Sequence, residues 1–397
     1  MRKKTVRDLD VRERRVFLRA DLNVPLDESG RVADDTRIRA IVPTVRYLSD
    51  QRARIIIASH LGRPRGVDES LRLAPLRGPL ESILGVPMTY VPDCIGPEVQ
   101  RAVEQLRPAS ALLLENLRFH PEEEANDQEF ARKLASLADV YLNDAFGAAH
   151  RAHASTEAIA HLLPSGAGLL MERELTFLGR VVTSPERPYA AVIGGAKVSS
   201  KLGVLQALLD KVDLMIIGGG MANTFMRAEG FDMGGSRIEE DLVQEARAII
   251  EQAERRKVRL LLPTDLVVAD AFDADARTQI VGVKDVPAGW QALDIGPKTV
   301  EVYSRSLEGC RTVVWNGPMG VFEMPLFAQG SLAVGKAIAE LTDCTTIVGG
   351  GETAQLAAML QEHYPGLQFS HISTGGGATL EFLEGRQLPG VAALMDA

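Results

Sequence analysis

Apolar, β-branched runs along this chain end in two different chemistries. In the first half they lead into Arg19-Ala20-Asp21, His60-Leu61-Gly62-Arg63, Asn116-Leu117-Arg118 and Asn143-Asp144. In the second half they lead into Gly194-Gly195-Ala196-Lys197, Gly218-Gly219-Gly220, Asn316-Gly317-Pro318, Gly349-Gly350-Gly351 and Gly375-Gly376-Gly377. Arginine grips phosphate or carboxylate with a bidentate fork. Glycine lets backbone amides approach a phosphate closely, and a following helix adds its positive end. In open α/β sheets, ligands bind beyond the carboxyl ends of the strands. The two halves therefore suit different anions, a small one for the first and a polyphosphate for the second.

Two series of elements must hold these groups. The spacing predicts strands at 16–19, 54–59, 88–91, 111–115 and 140–143, then at 189–193, 214–217, 259–262, 312–315, 345–348 and 369–373. Most are short, continuous apolar runs, as expected for strands covered on both faces. Helical patterns intervene: Ile38, Ile41, Val42, Val45 and Leu48; Phe130, Leu134 and Leu137; and two longer stretches at about 239–257 and 326–341. Alternation of this kind implies βαβ units and mainly parallel sheets. Leu169, Leu170, Leu175, Leu178, Val181 and Val182 describe an amphipathic helix between Pro164 and Pro188, placed to join two lobes.

At 397 residues the chain exceeds the size at which a single core stops growing. Its 46% hydrophobic and 24% charged residues are those of an ordinary globular protein. A net charge of −9 argues against a general nucleic-acid surface, and it makes the local gathering of Arg and His more telling. Cys94, Cys310 and Cys344 are scattered without CxxC spacing, which fits a reducing cytoplasm and no zinc site. No apolar segment follows the charged residues 1–5, and no apolar run reaches the ~20 residues of a membrane span. A cytoplasmic location without nucleic-acid or membrane partners is the expectation.

Two phosphate motifs nearly match. Gly330-x4-Gly335-Lys336-Ala337 lacks the Ser or Thr of a P-loop and lies inside an amphipathic pattern, so it reads as chance. Gly349-x-Gly351-x-x-Ala354 follows a strand and opens a helix, but no acid stands ~20 residues on to hold a ribose. It still makes sense as backbone that binds phosphate at a helix N-terminus. Glu352 suits either an approach to a phosphate-bound metal or a first-turn acid favoured by the helix dipole.

Taken in order, the motifs resemble those of the phosphoglycerate kinase family through essentially the whole chain. The segments are 16–26 (VFLRADLNVPL), 58–64 (ASHLGRP), 114–120 (LENLRFH), 143–153 (NDAFGAAHRAH), 194–201 (GGAKVSSK), 218–221 (GGGM), 314–323 (VWNGPMGVFE), 349–353 (GGGET) and 373–378 (STGGGA). The resemblance implies an α/β protein of two Rossmann-like lobes, with parallel sheets flanked by helices. It further implies a phosphoglycerate-binding lobe at 1–168, a hinge helix at 169–187, a nucleotide-binding lobe at 188–387 and a tail at 388–397 returning to the first lobe. The implied reaction is reversible transfer of the acyl phosphate of 1,3-bisphosphoglycerate to Mg-ADP, giving 3-phosphoglycerate and ATP. A monomer is the family expectation.

Family roles carry over by position. Asp21, Asn23, Arg37, His60, Arg63, Arg118 and Arg151 fall where the family binds phosphoglycerate. Lys197 and Lys201 match its phosphate-facing lysines, and Gly219 and Gly220 its nucleotide loop. Asn316, Pro318, Val321 and Glu323 match the nucleoside pocket, with Ala292 on its adenine wall. Gly350, Gly351, Glu352 and Thr353 match the nucleotide phosphate and magnesium end, with Glu352 as the metal contact. Gly375–Gly377 match the helix start facing the transferred group. Arg37, Lys201 and Gly376 are the expected catalytic positions. Many members carry Asp where Glu352 stands, and Gly is common where Ala292 stands.

Transfer to ADP needs no general base, since the attacking phosphate oxygen is already ionised and the leaving group is a carboxylate. The protein must align the reactants and neutralise charge. Two rivals remain at this point. The Gly349 motif favours a nucleotide-dependent oxidoreductase, although no hydride site is evident. A hinged, non-catalytic anion-binding protein would leave the lysine pair and the glycine tracts unexplained.

Overall fold

The computed structural model describes residues 2–397. The chain forms two compact units. One ends at Thr176 and is rejoined by Gln387–Ala397; the other is Phe177–Arg386.

The first unit is built on strands β1 (Arg15–Ala20), β2 (Arg54–Ala58), β3 (Met88–Tyr90), β4 (Ser110–Leu113), β5 (Val140–Asp144) and β6 (Ser165–Ala167). They form one sheet in the order β3-β4-β2-β1-β5-β6, parallel throughout. Parallel strands require crossovers, and helices supply them and cover the faces. Val16, Leu18, Ile55, Ile57, Leu113 and Leu142 fill one side of the sheet with Ile38, Val45 and Leu48 from the helical layer. On β1 all residues after Arg15 are buried, so a continuous apolar run rather than alternation marks the strand.

The single helix expected around Ile38–Leu48 is two helices, Thr36–Ala40 and Val42–Asp50, meeting at Ile41. Pro43 is the cause. It has no N–H to donate and its ring crowds the carbonyl four residues back. β6 escaped the sequence reading because its residues, Ser165, Gly166 and Ala167, carry no β-branched signature. The C-terminal segment packs within this unit: the Lys3 ammonium donates to the carbonyls of Ala392 (2.9 Å) and Leu394 (2.8 Å), and Asn143 Nδ2 to that of Gly390 (3.0 Å).

A long helix, Leu169–Thr183, contains the boundary between the units. Its start is fixed by Asp144 at the end of β5, whose Oδ1 accepts from the Met171 amide at 3.0 Å. Burial pushes the Asp144 carboxyl up to about 7.

The second unit has strands β7 (Tyr189–Ile193), β8 (Leu214–Ile217), β9 (Arg259–Leu261), β10 (Asp265–Ala269), β11 (Thr278–Gly282), β12 (Gln291–Ile295), β13 (Thr312–Asn316), β14 (Thr345–Gly349) and β15 (His371–Ile372). Six form a parallel sheet ordered β15-β14-β13-β7-β8-β9. The other three form a separate antiparallel sheet, β11-β10-β12, which the sequence reading did not anticipate. β11 is largely exposed, so its residues show no apolar run. The segment 330–337 lies in the helix Gln329–Ala339, and its two glycines serve packing. A Cβ on Gly330 would overlap the Asp294 carboxylate, and one on Gly335 would lie 2.5 Å from the Trp315 ring. Among the described residues, no helix is long and apolar enough to cross a membrane.

Candidate active site

Strand order explains how distant residues in the first unit become neighbours. Asp21 follows β1, His60 follows β2, Arg118 sits in a short turn after β4, and Arg151 lies beyond β5. These four strands are adjacent in the order β4-β2-β1-β5, and in a parallel sheet their carboxyl ends share one edge. With strands ≈ 4.8 Å apart, four neighbouring loops fall within about 15 Å of one another.

Contacts tie the loops together. Arg37 Nη1 donates to Asp21 Oδ2 at 2.5 Å, and the Gly62 amide donates to Asn23 Oδ1 at 2.8 Å. Arg118 donates to the Gly62 carbonyl at 2.7 Å and pairs with Glu124 at 3.0 Å. Arg151 donates to His150 Nε2 at 3.2 Å. Arg63 is exposed and, among the described residues, has no hydrogen-bonded or ion-paired partner.

The electrostatics are those of a cationic hollow. Burial holds the His60 imidazole well below its ordinary pKa; Arg19, Arg118 and Arg37 push the same way, while Asp21 opposes them. Burial, followed by Arg19, Arg118, Arg151 and His150, lowers His153 to about 4. Burial alone would raise Asp21, but the surrounding positive charge, with Arg37 and Arg19 nearest, brings its carboxyl below the usual value. Both imidazoles are thus neutral at pH 7 and the guanidinium groups carry the charge. The sequence reading assigned no binding role to Arg19, which is 1% exposed and lies at the centre of this field. Its signal was present in the Arg19-Ala20-Asp21 strand end.

Asp93, Cys94 and His120, also in this unit, bring three ligand-type atoms within 4.8 Å. Asp93 Oδ1 is already occupied, accepting from His120 Nε2 at 2.7 Å and from the Cys94 amide at 2.6 Å, and burial raises the thiol well above its usual range. Those contacts describe a hydrogen-bonded corner.

In the second unit the glycine-rich ends of β7, β8, β13, β14 and β15 share an edge in the same way. Beside them lies a cavity of about 610 Å³, within the range of small-molecule sites. Of the expected residues, Gly220, Ala292, Pro318, Val321, Glu323 and Glu352 border it. The antiparallel sheet contributes a wall through Gln291, Ala292 and Leu293 of β12, with Phe272 from the β10–β11 connection. Asn223 on a helix face, Arg237 on the loop that follows that helix and Phe272 beside the unanticipated sheet were missed, because none of them carries a local motif.

Several expected nucleotide residues have other occupations. Asn316 is buried, and its Nδ2 donates to the Gly349 carbonyl at 2.8 Å across the β13–β14 seam. Thr353 is buried and its Oγ1 accepts from the Gly317 amide at 2.7 Å. The amides of Gly194, Gly195 and Gly219 donate to the carbonyls of Asn316, Pro318 and Met319, each at 2.9 Å. Gly375 donates to Ser373 Oγ at 3.2 Å. These glycines let three loops pack backbone to backbone. Gly220 and Gly351 instead open the helices Gly220–Ala228 and Gly351–His363, whose first amides have no acceptor within the helix. Gly350, at φ 93°, is the residue before the second of these. Gly376 precedes the short helix Gly377–Leu383, with open space around its Cα.

Lys201 stands where the helix Leu202–Leu209 begins, and Lys197 is exposed on the same loop. Burial lowers Lys201 to about 8, with Glu352 opposing. Glu352 itself is exposed at the first turn of its helix.

Cations, amides and a nucleotide-sized cavity, with neutral imidazoles in place of an activated nucleophile, are the equipment of a phosphotransferase. Comparison with known proteins agrees. Residues 6–386 match the phosphoglycerate kinase family. A phosphoglycerate kinase of Moorella thermoacetica is 59% identical over 397 residues, covering 100% of both chains. A cytosolic phosphoglycerate kinase of Triticum aestivum is 52% identical over 396 residues, covering 99% of this chain and 98% of its own. The structure of phosphoglycerate kinase from Coxiella burnetii superimposes with a TM-score of 0.87 at 38% identity, covering 98% of each chain. The chain belongs to the phosphoglycerate kinase family, and its activity is the reversible phosphoryl transfer between 1,3-bisphosphoglycerate and ADP. The oxidoreductase and passive-binder readings fall away.

Two outcomes follow from this geometry. Gly317 has φ 100° and its added Cβ would overlap the Gly194 carbonyl. Gly317→Ala is expected to destabilise the second unit by roughly 1–3 kcal/mol and to weaken nucleotide binding, read by denaturant midpoint and by calorimetric titration with ADP. Lys201 titrates near 8 when folded and near ~10.4 when unfolded. Between those values the unfolded chain binds more protons, so stability rises with pH. Lys201→Met should therefore be more stable than the parent at pH 7, by on the order of 3 kcal/mol, with the advantage shrinking toward pH ~10. Urea unfolding of both chains across that range checks the sign.

Proposed function

We propose that the cationic edge of the first unit binds 3-phosphoglycerate and 1,3-bisphosphoglycerate, and that the cavity of the second unit binds ADP and ATP. The observation that carries this reading is the strand order β4-β2-β1-β5, which puts Arg118, His60, Asp21 and Arg151 on adjacent loops. A substrate with a phosphate at one end and an acyl phosphate at the other needs several cations at fixed separation. Arg63, Arg118 and Arg151, with His60, meet the phosphate that is not transferred. Asp21 and Asn23 meet the C2 hydroxyl.

The cavity takes the nucleoside, with Glu323 at the ribose and Ala292, Pro318 and Val321 around the base. Lys197 and Lys201, with the helix-starting amides at Gly220 and Gly351, meet its phosphates. Gly219 contributes close approach, since its own amide is engaged. Asn316 and Thr353 act by holding the loop that carries Gly317. Mg²⁺ usually binds through one or two carboxylates together with substrate phosphates, and the exposed Glu352 carboxylate on the cavity wall fits that pattern. When bound, the ion neutralises charge on the nucleotide phosphates.

Arg37, Lys201 and the amide of Gly376 hold the moving phosphoryl group. The β-phosphate oxygen of ADP attacks phosphorus, the acyl P–O bond breaks, and the electron pair leaves with the carboxylate, so no proton moves. Reacting atoms must come within ~3–3.5 Å, and the donor and acceptor half-sites belong to different units, so turnover requires the units to close and exclude water. The helix Leu169–Thr183, which contains the boundary, is the hinge in this reading. A monomeric, cytoplasmic enzyme suits the chain, in line with the cytosolic wheat relative.

The test is an assay coupling ATP and 3-phosphoglycerate to NADH consumption. The parent chain should turn over and Arg37→Ala should lower kcat by about 10²–10³; an inactive parent overturns the reading. X-ray scattering should show compaction with both substrates bound and less with either alone. An unchanged radius in the ternary complex would exclude closure.

A further inference from the structure

We infer that Glu123 and Ser155 are positioning residues that act through Arg19 to lock His60 as the neutral tautomer carrying its proton on Nε2. The inference rests on the reading of the first unit as the phosphoglycerate site.

The groups form a continuous chain. Glu123 is fully buried, and its two oxygens accept from Ser155, one from the hydroxyl at 2.5 Å and one from the amide at 2.9 Å. The same hydroxyl accepts from Arg19 Nε at 2.8 Å. Tyr141 Oη donates to the Ser155 carbonyl at 2.9 Å and holds the backbone on the other side. Arg19 Nη1 donates to the carbonyl of Ala20 at 2.5 Å, and Nη2 reaches His60 Nδ1 at 3.2 Å.

Chemistry then decides the proton. A guanidinium has donors only and stays charged inside a protein. Nδ1 of His60 must therefore present a lone pair, which excludes both the imidazolium and the other tautomer. The proton sits on Nε2, which has no partner among the described residues. An N–H there donates to a phosphate or carboxylate, whereas a lone pair would repel it. Fixing the tautomer makes His60 a standing donor that needs no proton uptake when substrate arrives. Glu123 is the countercharge that lets Arg19 remain buried, because an uncompensated buried cation is strongly unfavourable. Ser155 is the coupler, since a hydroxyl can donate to Glu123 and accept from Arg19 at once.

The test is histidine-selective ¹⁵N NMR on the full chain, with His60 assigned through His60→Gln. At pH 7 the parent should show a neutral His60 with its proton on Nε2, and Ser155→Ala should shift the resonance toward a tautomer mixture. Ser155→Ala should raise KM for 3-phosphoglycerate roughly tenfold, with a smaller change in kcat. In a His60→Gln background, where a permanent amide N–H replaces the tautomer, Ser155→Ala should have no further effect on KM. A proton on Nδ1 or on both nitrogens of the parent overturns the inference, as does a tautomer unchanged by Ser155→Ala. Should Ser155→Ala fail to fold, the parent spectrum decides alone. The spectrum is independent of turnover, so an inactive parent with the Nε2 proton in place would overturn the proposed function and leave only the tautomer assignment standing.

Discussion

Parallel pairing of β1 with β2 on one side and β5 on the other is the constraint on which the first unit's chemistry depends. Val16 is matched with Ile55 and with Val140, and the register continues without slip to the strand ends. Parallel strands all end on the same edge, so loops far apart in sequence open side by side. A one-residue slip would reverse the faces of every side chain on the strand and exchange the sides of the sheet on which buried Phe17 and Leu18 stand. The apolar core thus enforces the register, and the register aims Asp21, His60, Arg118 and Arg151.

Behind that edge the protein tolerates buried charge that would otherwise be unfavourable. Arg19 and Glu123 are separated by a single serine hydroxyl, and each lowers the electrostatic burden on the other. In the cluster of cations in front of them Arg37 pairs with Asp21 and Arg118 with Glu124, while Arg63 is exposed, so the proposed site keeps charge free for an anion. Lys201 shows the same logic in the second unit. Burial works against its charge, and Glu352 opposes that effect. Local destabilisation of that kind is expected where a site is preorganised for an anionic ligand.

The glycine tracts carry two functions that composition cannot separate. Gly194, Gly195, Gly219 and Gly317 allow three strand-end loops to hydrogen-bond to one another, and a side chain at most of them would strike backbone. Gly220 and Gly351 leave helix-starting amides available. Both uses place glycine where a strand ends, so both look identical in a sequence. Only the hydrogen-bond partners of the amides distinguish packing from recognition.

The sequence by itself determined the parallel strands and the residues at their ends. Continuous apolar runs mark doubly covered strands, and β7 and β8 have the bounds their periodicity implies. Ordered motifs from Val16 to Ala378 were sufficient for the family. Tertiary structure alone decided what depends on non-local neighbours. The antiparallel β10–β12 sheet was illegible because β11 is largely exposed and β12 only partly buried, and with it went Phe272 of the cavity wall. Arg19 shares its residue type and strand-end place with its neighbours, yet burial beside Glu123 gives it a different task. A side chain's identity is local, but its dielectric surroundings and partners are set by segments distant in the chain, as Ser155 is from Arg19.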